Sequence, residues 1–279
     1  MTRTFSEGWQ DYELIDAGGS KKLERWGKII TIRPERNAYF KSGLNFSEWE
    51  KLANFEFVED THNKGEWRSF KNTVTDWDIS YKELIFTLKL TSFKHIGLFP
   101  EQKANWDFIY KRIHPNQKFL NLFAYTGAAS LAAKSKGADV FHCDSVKQVI
   151  NWTKENMELS NLEDIRWVLD DALKFAQKEV KRGNKYDGII MDPPAFGIGA
   201  KKKRWKIENL FPDLVKTASQ LLNKDGFLII NTYSPRLTEK EITPVVNTEF
   251  PNKNIEITKL SIKATSGKVL EYGDLTRVY

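Results

Sequence analysis

Four short stretches combine residue types that could do chemistry: Ala124-Tyr125-Thr126-Gly127, Asp144, Asp170-Asp171, and Asp192-Pro193-Pro194-Ala195-Phe196. Each follows an apolar run of strand length. An acid that ends the second strand of a parallel sheet is suited to accept hydrogen bonds from both hydroxyls of an adenosine ribose. The competing role for Asp144 and Asp171 is to cap the helix that follows. In the fourth stretch two prolines fix the loop and remove two N–H donors. Asp192 and the Pro193 carbonyl could then accept protons from a planar nitrogen, with Pro194 stiffening the loop and Phe196 stacking on the ring. Directly beyond comes Gly197 to Lys206, where Lys201, Lys202, Lys203, Arg204 and Lys206 could hold a phosphate backbone and Trp205 could stack on a base. An ordinary solvated loop is the alternative there.

These residues need a scaffold that brings strand ends to one edge. From Gln117 onward the chain alternates regularly, with strands expected at 118–123, 139–143, 165–169, 186–191 and 226–231 and helical stretches between them. Ser145 and Gln148 are spaced as a capping box for the helix after Asp144, and Thr238 and Glu241 for a later one. Two further strands are expected near Ile255–Ile262 and Val269–Val278. Pro100 is placed to open a helix that runs to Arg112. The first ~95 residues lack this alternation and read as short strands broken by turns, with Asn63-Lys64-Gly65 as one hairpin turn. The expected organisation is a β-rich N-terminal domain over 1–95 and an α/β domain over 96–279. Six of the nine tryptophans fall by position 106; core filling is the favoured explanation over a platform for bases.

Composition narrows the partners. The chain carries +6 overall, but between Ala172 and Lys206 ten basic residues face three acids, so the excess is concentrated around the proline loop. One cysteine, Cys143, excludes an intramolecular disulfide and any multi-cysteine metal cluster, and four scattered histidines argue against a histidine site, so no metal is expected. No apolar run approaches a membrane span and the polar start does not read as a secretory signal, which leaves a cytoplasmic location as the expectation.

The turn at Gly127 decides the ligand class. A nicotinamide dinucleotide fingerprint needs three glycines to admit a pyrophosphate, and only Gly127 is present. S-adenosyl-L-methionine fits better, since it has the adenosine for Asp144 and Asp171 and an amino acid end in place of a pyrophosphate.

Phe99-Pro-Glu-Gln102, Asn121-Leu-Phe-Ala-Tyr-Thr-Gly127, Asp144-Ser145, Asp170-Asp171 and Asp192-Pro-Pro-Ala-Phe196, in that order, resemble the class I S-adenosylmethionine-dependent methyltransferases. Within these the chain is similar to the large-subunit ribosomal RNA methyltransferases that make 5-methylcytosine or 7-methylguanine. The resemblance runs from about residue 97 to 279. It implies a Rossmann-like seven-stranded methyltransferase sheet with an antiparallel last strand, preceded by a small β-rich (α+β) domain. It also implies cofactor contacts from Gln102, Asn121, Phe123, Ala124, Tyr125, Thr126, Gly127, Asp144, Ser145, Asp170, Asp171, Ala172 and Asp192. RNA is the implied partner. The 5-methylcytosine enzymes it resembles carry a cysteine after the fifth strand, where this chain reads Ile230-Asn-Thr-Tyr-Ser-Pro235, so carbon methylation through a cysteine adduct is disfavoured. Two rival readings remain: a methyltransferase for a small molecule or a protein, and a cofactor-binding protein without turnover.

Overall fold

The computed structural model describes residues 2–60, 64–198 and 204–279. The chain forms two compact units: Met1–Thr4, Asn105–Leu260 and Gly273–Tyr279 make one, and Phe5–Ala104 with Ser261–Tyr272 make the other. The sequence placed a single boundary after residue 95. The chain instead passes between units at Ala104 and returns for Ser261–Tyr272.

The larger unit is built on the expected alternation. Its strands are β1 (Lys118–Leu122), β2 (Asp139–Asp144), β3 (Ile165–Leu169), β4 (Tyr186–Met191), β5 (Leu222–Thr232), β6 (Ile255–Lys263) and β7 (Val269–Val278). Helices α1 (Ala128–Lys134), α2 (Lys147–Leu159), α3 (Ala172–Lys181), α4 (Ile207–Leu221) and α5 (Glu239–Glu249) fill the intervals. The strands lie in the order β3-β2-β1-β4-β5-β7-β6, with Arg3–Phe5 as an eighth strand at the β6 edge. β1 to β5 are parallel and β7 runs antiparallel to β5. Reversal of strand order between β1 and β4 opens a crevice at their carboxyl ends.

Burial follows pattern. β1 and β4 are nearly continuous apolar runs and both are buried, as central parallel strands are. α4 presents Ile207, Phe211, Leu214, Val215, Ala218 and Leu221 to the main core. Thr238 and Glu241 meet at the start of α5, where the Glu241 carboxylate accepts the Thr238 N–H at 3.0 Å. Ser145 and Gln148 form no such box: the residue that caps α2 is Val146, with no side-chain hydrogen bond. The Ser145 N–H, which Gln148 would have to accept, is directed at the Asp144 carboxylate instead, as is the Val146 N–H at 2.9 Å.

The N-terminal unit holds a five-stranded sheet, ordered Tyr12–Gly18, Lys21–Trp26, Ile29–Pro34, Phe55–Glu59, Gly65–Ser69, and a hairpin, Asp76–Tyr81 with Leu84–Lys89. Trp9, Trp26 and Trp49 are buried in it, as core side chains. Asn63 of the expected hairpin turn lies outside the described residues. Residues Ser261–Tyr272 are bound into this unit through Thr265 Oγ1 to Glu13 at 2.6 Å and Ser266 Oγ to Asp16 at 2.6 Å.

Candidate active site

β1 ends at Leu122 and the next five residues swing the chain into α1. Phe123, Tyr125 and Gly127 take φ values of 60°, 49° and 83°, and left-handed backbone at a non-glycine residue costs about 1–2 kcal/mol. Neighbouring elements hold the turn in that shape. From β2, the Cys143 carbonyl accepts the Ala124 N–H at 3.1 Å and Asp144 Oδ2 accepts the Tyr125 N–H at 2.9 Å. From α2, Thr153 Oγ1 donates to the Tyr125 carbonyl at 3.0 Å and Asn156 Nδ2 to the Thr126 carbonyl at 3.1 Å. Gly127 is required twice over. Its φ is left-handed, and a Cβ there would lie 2.0 Å from the Thr153 methyl, so the close approach that demands glycine is that of α2.

Asp144 is the last residue of β2, and its carboxylate receives the backbone N–H groups of Tyr125 at Oδ2 and Val146 at Oδ1, with the Ser145 amide also directed at it. A carboxylate offers about four acceptor sites, so capacity for a ligand remains. Burial raises its pKa above the ordinary carboxylate value, against the pull of those amides. Helix capping is therefore not its role. Asp171 does cap α3, accepting the Lys174 N–H at 3.0 Å. Asp170 is held by Lys178 at 2.6 Å, which lowers its pKa, and accepts the Asp171 N–H at 2.8 Å. Ala172 is the first, buried residue of α3, and Ser145 is exposed beside Asp144.

Asn121 turns into the interior, where its Nδ2 donates to Ser130 Oγ at 2.9 Å, and Ser130 Oγ meets His142 Nδ1 at 3.0 Å. Burial pushes His142 down to about 3, so this ring is neutral. Gln102 belongs to the N-terminal unit, where it closes the single turn Pro100–Gln102. Cys143 is fully buried, and burial together with Asp144, Asp170 and Asp171 pushes its thiol up to about 12.

The proline loop leaves β4 with the Asp192 N–H aimed at the Leu122 carbonyl, 3.5 Å away at the end of β1. Asp192 Oδ2 accepts the Tyr233 hydroxyl at 3.3 Å. Within the stretch Gly197 to Lys206 the described residues form part of a short antiparallel ladder, Phe196–Ile198 against Arg204–Lys206. Phe196 is 58% exposed on it. Trp205 is not a free stacking surface: its Nε1 donates to the Pro194 carbonyl at 2.6 Å, and its ring packs on Phe123 with centroids 5.2 Å apart. Lys206 is exposed and precedes α4. Lys201, Lys202 and Lys203 lie outside the described residues. Tyr233, Thr153 and Asn156 escaped the sequence reading. Only Tyr233 had a visible signal, its place just after β5 at the same sheet edge.

The arrangement gathers Asp144, Asp170, Asp171 and Asp192 at the carboxyl ends of β2, β3 and β4, with no lysine or arginine in Phe123–Gly127, Asp144–Val146 or Asp192–Phe196. Such an edge repels a pyrophosphate and suits a ligand rich in hydroxyl, ammonium and sulfonium groups. Residues 54–240 match the family described as S-adenosylmethionine-dependent methyltransferase. The chain belongs to that family.

The structure of an S-adenosylmethionine-dependent methyltransferase from Agrobacterium tumefaciens is 32% identical, with a TM-score of 0.93 over 100% of this chain and 93% of that one. Ribosomal RNA large subunit methyltransferase K/L of Syntrophotalea carbinolica is 30% identical over 52% of this chain and 20% of its own length. Ribosomal RNA large subunit methyltransferase I of Salmonella arizonae is 33% identical over 46% and 32%. The chain thus spans a third or less of the curated relatives it matches. As in other members of the methyltransferase family, S-adenosylmethionine is the cofactor. Among the described residues no group of three or more His, Cys, Asp or Glu side chains could hold a metal ion, and no helix is long and apolar enough to cross a membrane.

Proposed function

We propose that this methyltransferase acts on a nitrogen of a base in RNA, with ribosomal RNA the leading substrate. The observation that carries the reading is the proline loop. Asp192 is held at one oxygen by Tyr233, the Pro194 carbonyl is taken by Trp205, and the exposed Phe196 ring follows within the same short ladder. Asp192 and the Pro193 carbonyl accept hydrogen bonds from the acceptor, and Phe196 stacks on its ring. When bound, S-adenosylmethionine supplies an electrophilic methyl group on sulfur. The turn from Phe123 to Gly127 with Asp144, Ser145 and Asp170 to Ala172 holds the cofactor, and Lys201, Lys202, Lys203, Arg204 and Lys206 contact flanking phosphates. The names of the ribosomal RNA relatives support the acceptor class.

Attack through a cysteine adduct on a pyrimidine is not part of this reading, because Cys143 is buried with its thiol pushed up to about 12, and Tyr233 stands in the stretch where a nucleophile would be needed. The test is transfer of tritiated methyl groups to total RNA. Label that is released by nuclease and lost in Asp192→Ala supports the proposal; nuclease-resistant label on protein or small molecules favours the rival acceptors on the same fold.

A further inference from the structure

We infer that Trp205 is a positioning residue that couples the cofactor turn to the acceptor loop. One side chain touches both. Its indole N–H donates to the Pro194 carbonyl at 2.6 Å, and its ring meets Phe123 at 5.2 Å and 61° between planes. Phe123 is the first left-handed residue of the turn, at φ 60°. A non-glycine residue keeps such a backbone only where its surroundings hold it, and ring-on-ring packing is a contact of the right size to do so, at about 0.5–1.5 kcal/mol. Trp205 and Phe123 both lie against the main core. The backbone of Trp205 is itself paired with Gly197, three residues beyond Pro194. The indole is therefore braced from behind by a strand that belongs to the acceptor side.

Coupling of this kind is reciprocal. A cofactor that favours the left-handed turn favours the seated Trp205 and hence the fixed Pro194 carbonyl, and an acceptor that orders the loop favours cofactor binding by the same factor. The cofactor half of this inference needs only the family's cofactor; the acceptor half rests on the proposed role of the proline loop.

Two substitutions separate the two interactions. Trp205→Phe keeps a ring against Phe123 and loses the N–H; Trp205→Leu loses both. Calorimetric binding of S-adenosylhomocysteine to the whole chain needs no acceptor. Trp205→Leu should bind it at least fivefold more weakly, and Trp205→Phe within twofold of the parent. With RNA as acceptor, Trp205→Phe should lower kcat/KM for RNA at least fivefold while KM for S-adenosylmethionine stays within twofold. A buried substitution away from the turn, Val215→Ala in α4, controls for loss of stability. If Trp205→Leu binds S-adenosylhomocysteine as the parent does, or if Val215→Ala weakens it equally, the coupling is overturned. If the parent protein methylates no RNA, the proposed substrate falls and the S-adenosylhomocysteine measurements still decide the role of Trp205.

Discussion

Cys143 and Asp144 are neighbours in β2 with opposite fates, because side chains alternate across a strand. The thiol faces the core and is held protonated, so alkylation of the native protein at pH 8 should be negligible beside that of the unfolded chain, and Cys143→Ala should retain methyl transfer. Asp144 faces the crevice. Asp144→Asn removes a charged acceptor worth about 1.5–3 kcal/mol per hydrogen bond, so cofactor affinity in calorimetry should fall by an order of magnitude or more. Glu101, in the N-terminal unit, is buried at 3% exposure, and burial pushes its carboxyl from 4.5 up to about 7. A folded value above the unfolded one means that folding favours the protonated form. Its stabilising contribution is full below about pH 4.5, declines as pH rises toward 7 and is lost above it. Glu101→Gln should therefore match the parent near pH 4 and exceed it at pH 8, by up to roughly 3 kcal/mol in denaturant melts. At this scale Asp144 and Asp192 were legible, since the end of a strand is a position that a sequence displays. Thr153, Asn156 and Tyr233 were not. Their roles are hydrogen bonds to the Tyr125 carbonyl, the Thr126 carbonyl and Asp192, partners set far apart along the chain.

Between elements a tight constraint is the seat of α2 on the turn that precedes α1. Gly127→Ala places a Cβ 2.0 Å from Thr153 Cγ2 at a left-handed residue, which adds steric displacement of α2 to about 1–2 kcal/mol of backbone strain. Thr153→Ser removes the methyl and keeps the hydroxyl. Gly127→Ala should therefore cost less stability in the Thr153→Ser background than in the parent, a positive coupling that a double-mutant cycle of denaturant melts would read. The alternation of strand and helix was recoverable because β1 to β5 carry short apolar runs separated by amphipathic helices. The ladder Phe196–Ile198 with Arg204–Lys206 was not, since three-residue strands around a lysine run carry no periodicity. The N-terminal strands Lys21–Trp26 and Asp76–Tyr81 carry a similarly weak signal, since charged residues interrupt both.

Along the chain as a whole, positive charge is concentrated in the segment that follows the proposed acceptor loop. Neutral substitutions across Lys201 to Lys206 should flatten the dependence of RNA binding on salt, by about one unit of slope for each phosphate no longer neutralised, as measured by filter binding from low to physiological salt. Their spacing could be read from the sequence; their bearing on the site depends on the ladder that frames them. The division into units was the least legible feature, because nothing local marks Ser261–Tyr272 as belonging with Phe5–Ala104. That excursion has a consequence for synthesis. A nascent chain commonly folds its N-terminal domain first, while the remainder is still being made. Here the first unit lacks its last segment until all of Asn105–Leu260 has emerged, and Glu13 and Asp16 wait for Thr265 and Ser266. The part made first is completed nearly last, after more than half of the chain has been added between its two pieces.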